Sequence, residues 1–209
     1  ANPLDAGFDF VSTTSFKSLR GPRGGLILTR RRHAKQIEAS VFPGLQGGPH
    51  MNVIAGIAVT LKLAATAAVQ AYSRQVLANA KALAEVLLAG GLALVTGGTD
   101  NHLLVIDTIA SRDLDGAAAE RALDQIGITT NKQVIPDDTR PPLRPSGVRL
   151  GTPAATTRGM GPAEMRERAQ GSGKAVTVPG DSARLADLQR DCLALCRAFP
   201  VPGIEVMPA

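Results

Sequence analysis

Two short apolar runs, F-D-F-V at 8–11 and L-I-L at 26–28, are separated by the insert S-T-T-S-F-K-S-L-R-G-P-R-G-G at residues 12–25. Hydroxyl side chains at its front and Gly and Pro at its back are turn chemistry, so the segment reads as strand, turn, strand. Lys17 stands at the strand end among hydroxyl and guanidinium groups. Such an amine is either a solvated lysine of a polar hairpin loop or a nucleophile for Schiff-base chemistry, because its surroundings can make it reactive.

After the strand pair, Arg31–Ala39 reads as a short helix and residues 41–50 as a loop by their Gly and Pro content. Residues 51–90 are dominated by Ala, Leu and Val and contain no proline. The run is too long for one ordinary globular helix, which predicts two, meeting near residues 69–72 and closed by Gly90 and Gly91. Beyond Gly90 the texture turns to α+β, which places a domain boundary there. Strands at 92–95 and 103–106 flank a G-G-T-D-N turn, and a helix over 113–126 is closed by Gly127. A short strand at 128–130, a proline-rich connection at 134–146, a strand at 148–150 and helices at 162–174 and 182–199 complete the reading.

Hydrophobic residues make up 44% of the 209, which excludes a disordered chain, and no apolar run has the length to span a bilayer. There is no Trp and one Tyr, which argues against a base-stacking nucleic-acid binder. The net charge is +5, densest at Arg30, Arg31, Arg32, His33 and Lys35, and this cluster is expected to be a solvated helix face that steers anions. Residues 1–5 lack the basic start and apolar core of a signal peptide. Cys192 and Cys196 lie four apart in Leu-rich sequence, hence on one helix face, and are expected to be buried and reduced, as in a cytoplasmic protein. No spacing among His33, His50 and His102 suggests a metal site, and none is expected.

The lysine insert resembles the pyridoxal-phosphate segment of the serine hydroxymethyltransferase family, T-T-T-T-H-K-[TS]-L-[RA]-G-P-R-G-G. Three further blocks stand in the family's order: V-F-P-G-L-Q-G-G-P at 41–49, G-G-T-D-N-H-L at 97–103 and S-G-V-R-L-G-T-P-A-A-T-T-R-G at 146–159. The resemblance implies an α/β fold. Residues 1–90 would be the C-terminal part of the large domain of a fold-type-I, aspartate-aminotransferase-like pyridoxal-phosphate transferase, and 91–209 a small α+β C-terminal domain.

The resemblance makes Lys17 the catalytic Schiff-base lysine, with Thr14 and Arg23 lining pyridoxal 5'-phosphate beside it. Gly47 and Gly48 match glycines whose backbone approaches the phosphate, in the family from the neighbouring subunit. Glycine suits that role because N–H groups cradle an anion only where no side chain intervenes. Arg149 matches the arginine that grips the substrate α-carboxylate, which a planar guanidinium does bidentately. Its bland alternative is a structural ion pair, since an arginine in an apolar strand is otherwise costly. Phe42, Gln133 and Leu143 fall in the folate or acceptor region.

Two positions depart from the pattern. Phe16 replaces the histidine before the lysine and removes a donor and acceptor beside the cofactor. Gln133 stands where the family commonly carries asparagine, and its extra methylene moves the amide. Pyridoxal-phosphate chemistry is therefore better supported than a tetrahydrofolate-dependent step. The family residues that stack on the pyridine ring, pair its nitrogen and hold most of the phosphate lie outside this sequence, as do the catalytic glutamate and tyrosines.

The implied protein is the C-terminal half of a serine hydroxymethyltransferase-like enzyme acting on Cα–Cβ bonds of β-hydroxy amino acids, as in serine/glycine interchange. A complementary N-terminal-half chain would complete its site within a dimer or tetramer. The alternatives are a folate-independent threonine aldolase or transaldolase half-enzyme, and a non-catalytic partner or degenerate fragment.

Overall fold

The structure, a computed structural model, describes residues 3–204. The chain forms two compact units, residues 1–70 and 71–209. The division between these compact units falls twenty residues before the domain boundary expected at Gly90. The long third helix explains the difference, because its buried face packs into the C-terminal core.

In the first unit, β1 (Phe10–Thr14) pairs antiparallel with β2 (Gly25–Thr29), Thr14 opposite Gly25 and Phe10 opposite Thr29. Helix α1 (Arg31–Ala39) follows, then a wide turn at Ser40–Leu45 that contains a cis Phe42–Pro43 bond, then α2 (Met51–Ala64). Of the basic cluster, Arg30, Arg31, Arg32 and Lys35 are exposed, with Arg32 paired to Asp9, whereas His33 is half-buried beside the Phe10 ring. Helix α3 (Ala67–Ala89) begins after a break at residues 65–66, not 69–72. Thr66 decides the position: its hydroxyl accepts the Val69 N–H at 3.4 Å, a cap that starts the new helix.

The second unit holds a four-stranded antiparallel sheet in the order β3 (Ala93–Leu94), β4 (Leu103–Asp107), β6 (Gly147–Gly151), β5 (Asn131–Gln133). Along the chain α4 (Thr108–Arg112) and α5 (Gly116–Gln125) precede β5, and α6 (Pro153–Thr157), α7 (Pro162–Thr177) and α8 (Ser182–Ala198) follow β6. Leu104, Ile106, Val148 and Leu150 point from the sheet into the core, where they meet Leu83 and Leu87 of α3, Leu123 of α5 and Met165 of α7. Val76, Ala80, Leu83 and Leu87 fall at helical spacing on one buried face of α3. Asn79 on that face is satisfied: it donates to Thr156 Oγ1 at 2.8 Å and to the Met160 carbonyl at 2.9 Å.

Several elements differ from expectation. The helix expected over 113–126 is α5 and starts only at Gly116, because Asp113 adopts a left-handed conformation that ends the additional short helix α4, and Asp115 caps α5 by accepting the Ala118 N–H. No strand forms at 128–130. The Ile128 N–H is taken by the Leu123 carbonyl at 2.9 Å, so ladder pairing starts only at Asn131. Helix α6 is an addition to the expected elements, although Pro153 at its first turn is a start signal. Cys192 and Cys196 are half-buried free thiols rather than fully buried ones.

Candidate active site

Residues 15–24 make a closed loop between β1 and β2, and it is rigid for identifiable reasons. The Ser15 N–H donates to the Gly24 carbonyl at 3.0 Å, and the Gly21 N–H donates to the Ser15 carbonyl at 2.8 Å. Ser15 is fully buried, and its hydroxyl donates to the Pro22 carbonyl at 2.7 Å. Lys17 caps the bulge thus formed, its carbonyl accepting the Arg20 N–H at 2.9 Å and its amine side chain exposed.

Helix α2 supports this loop from beneath. Val53, Gly56, Ile57 and Thr60 recur at helical spacing, and they form the less exposed face of α2. A Cβ on Gly21 would meet Thr60 Oγ1 at 2.7 Å and the Ser15 carbonyl at 2.9 Å; one on Gly24 would meet Ile57 Cδ1 at 2.9 Å. Only glycine lets the loop lie this close to the helix. Thr14 ends β1 half-buried, and Arg23 lays its guanidinium 4.4 Å from the Phe16 ring centroid. Gly47 and Gly48 differ from the loop glycines: both are exposed, and nothing lies within 4 Å of where a Cβ would sit. Internal packing does not account for them. Phe42, in the same unit, is 62% exposed.

In the second unit, Arg149 alternates outward between the buried Val148 and Leu150. Its strand neighbours are Val105 and Asn131, and Gln133 stands opposite Gly147 two places along, on the same outward face. Arg149 is exposed, and among the described residues its side chain makes one hydrogen bond, donated to the Asn131 amide oxygen at 3.3 Å. Among the described residues it forms no ion pair, so the structural pairing that could have explained it is not made. Asn131 carries no signal in the sequence, because its place beside Arg149 depends on sheet pairing eighteen residues away. Ser15 is silent for a similar reason: a short hydroxyl in a polar insert gives no sign that it is the buried anchor.

Leu143 is 79% exposed in the proline-rich connection, whose shape is held by Asp138. That carboxylate accepts the Ser146 N–H at 2.9 Å, the Ser146 hydroxyl at 2.8 Å and the Arg140 N–H at 3.0 Å. These bonds, the Ser146 N–H foremost, bring its pKa down to about 2. A cavity of about 690 Å³ lies between α3, α7 and α8 and contains none of the expected site residues. Among the described residues no cluster of metal-ligating side chains is present.

The family profile described as serine hydroxymethyltransferase matches residues 1–171. The chain belongs to the serine hydroxymethyltransferase family. A serine hydroxymethyltransferase of Myxococcus xanthus (strain DK1622) is 50% identical over 193 residues, which cover 92% of this chain and 46% of that protein. One of Sorangium cellulosum (strain So ce56) is 47% identical over 198 residues, covering 95% and 47%. A third, of Rhodopirellula baltica, is 47% identical over 201 residues, covering 96% and 48%. The chain thus spans about half the length of the curated relatives it matches. All four motif blocks of serine hydroxymethyltransferase type fall inside the matched residues, whereas α8 with its two cysteines lies beyond them. Among the described residues no single helix is long and apolar enough to cross a membrane.

Proposed function

We propose that the chain is the C-terminal half of an enzyme of serine hydroxymethyltransferase type. In this reading residues 1–90 are the end of a fold-type-I large domain, aspartate-aminotransferase-like, and 91–209 are the small domain. The observation that carries the reading is the Lys17 loop, an exposed amine on a loop shaped from beneath by Ser15, Thr60 and close-packed glycines. A solvated hairpin loop has no need of such support, whereas a reacting amine must be held in place.

The residues present fit pyridoxal 5'-phosphate, which supplies an electron sink for the bond broken at the amino-acid Cα. Lys17 Nζ would hold its carbonyl carbon, flanked by Thr14 and Arg23. The open backbone at Gly47 and Gly48 suits a phosphate. Arg149, with no carboxylate of its own to satisfy, would take the substrate α-carboxylate and so fix which bond of a β-hydroxy amino acid is aligned for cleavage.

A complementary chain is part of this proposal. Among the described residues of the first unit only Ser15 and Thr60 are buried, while Leu45 and Met51 are 89% and 68% exposed. That unit lacks an apolar core of its own, and an N-terminal-half chain of the same family, within a cytoplasmic dimer or tetramer, would cover it. Phe16 and Gln133 favour one second reading, a folate-independent aldolase or transaldolase of threonine type. The Phe16 ring is engaged with Arg23, and the Gln133 amide donates to the Val134 carbonyl at 3.0 Å.

Borohydride reduction of the chain with saturating pyridoxal 5'-phosphate and any co-purifying chain, followed by peptide mapping, is expected to label Lys17. An unlabelled Lys17 overturns the enzyme reading and leaves a non-catalytic partner. Arg149→Lys is expected to keep the label while weakening amino-acid binding by roughly tenfold or more, since a bidentate contact is lost. Turnover with serine and tetrahydrofolate supports the hydroxymethyl transfer; turnover with an aldehyde acceptor alone supports the aldolase reading.

A further inference from the structure

The thiols of Cys192 and Cys196 lie one turn apart on α8, and Cys196 is enclosed by guanidinium groups from two other elements. Arg158 Nη1, just after α6, is 3.5 Å from Cys196 Sγ, and Arg168 Nη1, on α7, is 3.8 Å away. Arg158 also holds backbone: its Nε donates to the Phe199 carbonyl and its Nη2 to the Cys196 carbonyl, both at 2.6 Å. It caps the end of α8. Neither arginine forms an ion pair among the described residues, so no protein carboxylate there answers the two charges beside the thiol.

The two sulfurs are unequal. Burial works to raise the Cys196 pKa, but the hydrogen bond from Arg168 and the charges of Arg168 and Arg158 outweigh it, and the net shift is downward. Burial pushes the Cys192 thiol up. Cys192 borders a small cavity whose other charged groups are Glu167, Arg168, Lys174 and Asp191. Both cysteines are half-buried and free, so Cys196 remains within reach of a small reagent.

We propose that Cys196 is a modification site, a thiolate that exchanges with small carboxylate-bearing disulfides of the oxidised-glutathione kind. Cys196 Sγ attacks one sulfur of the reagent, and a new S–S bond forms as the old one breaks. The displaced thiolate leaves with the electron pair and takes a proton from water, so no other oxidant is needed. Arg168 favours the attacking thiolate and, once Sγ is capped, is left to pair with a carboxylate of the adduct. The adduct also removes the Sγ contact of Arg158, the residue that ties the end of α8 to the turn after α6.

The test treats the purified chain, with any co-purifying chain, with oxidised glutathione or neutral bis(2-hydroxyethyl) disulfide across pH, and maps adducts by peptide mass spectrometry. Near neutral pH the glutathione adduct is expected on Cys196 about tenfold faster than on Cys192, and faster than the neutral reagent's adduct. Arg168→Gln should slow it by about tenfold and move its pH profile upward, and Arg168→Lys should restore most of the rate. Circular dichroism of Arg168→Gln separates this loss from misfolding, a safeguard that substitution of the capping Arg158 would not offer. Equal rates at the two cysteines, no preference for the anionic disulfide, or an Arg168→Gln variant with unchanged rate and pH profile overturns the proposal.

Discussion

The guanidinium carbon of Arg23 stands 4.4 Å from the centroid of the Phe16 ring. Phe16, expected from the sequence to depart from the family pattern before the lysine, thereby packs against a residue proposed to line the cofactor. Truncating the ring in Phe16→Ala frees Arg23 and removes about 0.5–1 kcal/mol of cation–π attraction. The expected result is a cofactor dissociation constant raised roughly two- to fivefold, read by absorbance titration. An unchanged constant would mean that Arg23 takes no part in holding the cofactor.

The glycines divide into two groups that behave oppositely under the same substitution. Gly21→Ala places a methyl 2.7 Å from Thr60 Oγ1 and 2.9 Å from a backbone carbonyl, so the loop must lift from α2. A loss of about 1–3 kcal/mol is expected in urea unfolding, in line with other overpacked sites. Gly47→Ala and Gly48→Ala meet nothing within 4 Å and should leave unfolding unchanged. Their effect should appear in cofactor affinity, measured on the assembled protein. Equal unfolding midpoints for Gly21→Ala and Gly47→Ala would contradict the close packing of the loop.

Asp138 makes stability depend on acid pH. Its pKa falls from an ordinary 3.8 to about 2 in the folded protein, so the folded state favours the ionised form. A depressed carboxylate stabilises above its unfolded pKa, and that contribution is lost as pH falls from 3.8 through about 2. The Asp138→Asn variant should therefore be less stable than the parent at neutral pH. The gap should narrow on acidification between those values. Denaturant unfolding of both proteins from neutral to acid pH checks the sign, and a gap that widens would refute it.

The lysine hairpin, α1 and the last two long helices are legible in the sequence because they rest on local signals: apolar runs, turn residues and helical spacing. The breaks are less legible. Residues 51–90 read as helix with a misplaced junction, because the Thr66 hydroxyl acts through hydrogen bonds to the Leu63 carbonyl and from the Val69 N–H that apolar periodicity does not register. The strand expected at 128–130 forms instead at Asn131–Gln133, because the helix before it takes the Ile128 N–H and pairing with β6 starts only at Asn131.

By itself the sequence determined the family, the lysine and the carboxylate-binding arginine as candidates, since motif blocks preserve residue identity and order. Only the tertiary structure decided what surrounds them. Ser15 and Thr60 lock the Lys17 loop, Asn131 and Gln133 share the face of Arg149, and Arg158 and Arg168 converge on Cys196. Apart from the Ser15 bond inside its own loop, these depend on contacts between elements far apart in the chain, and local spacing carries no information about which distant groups packing will bring together.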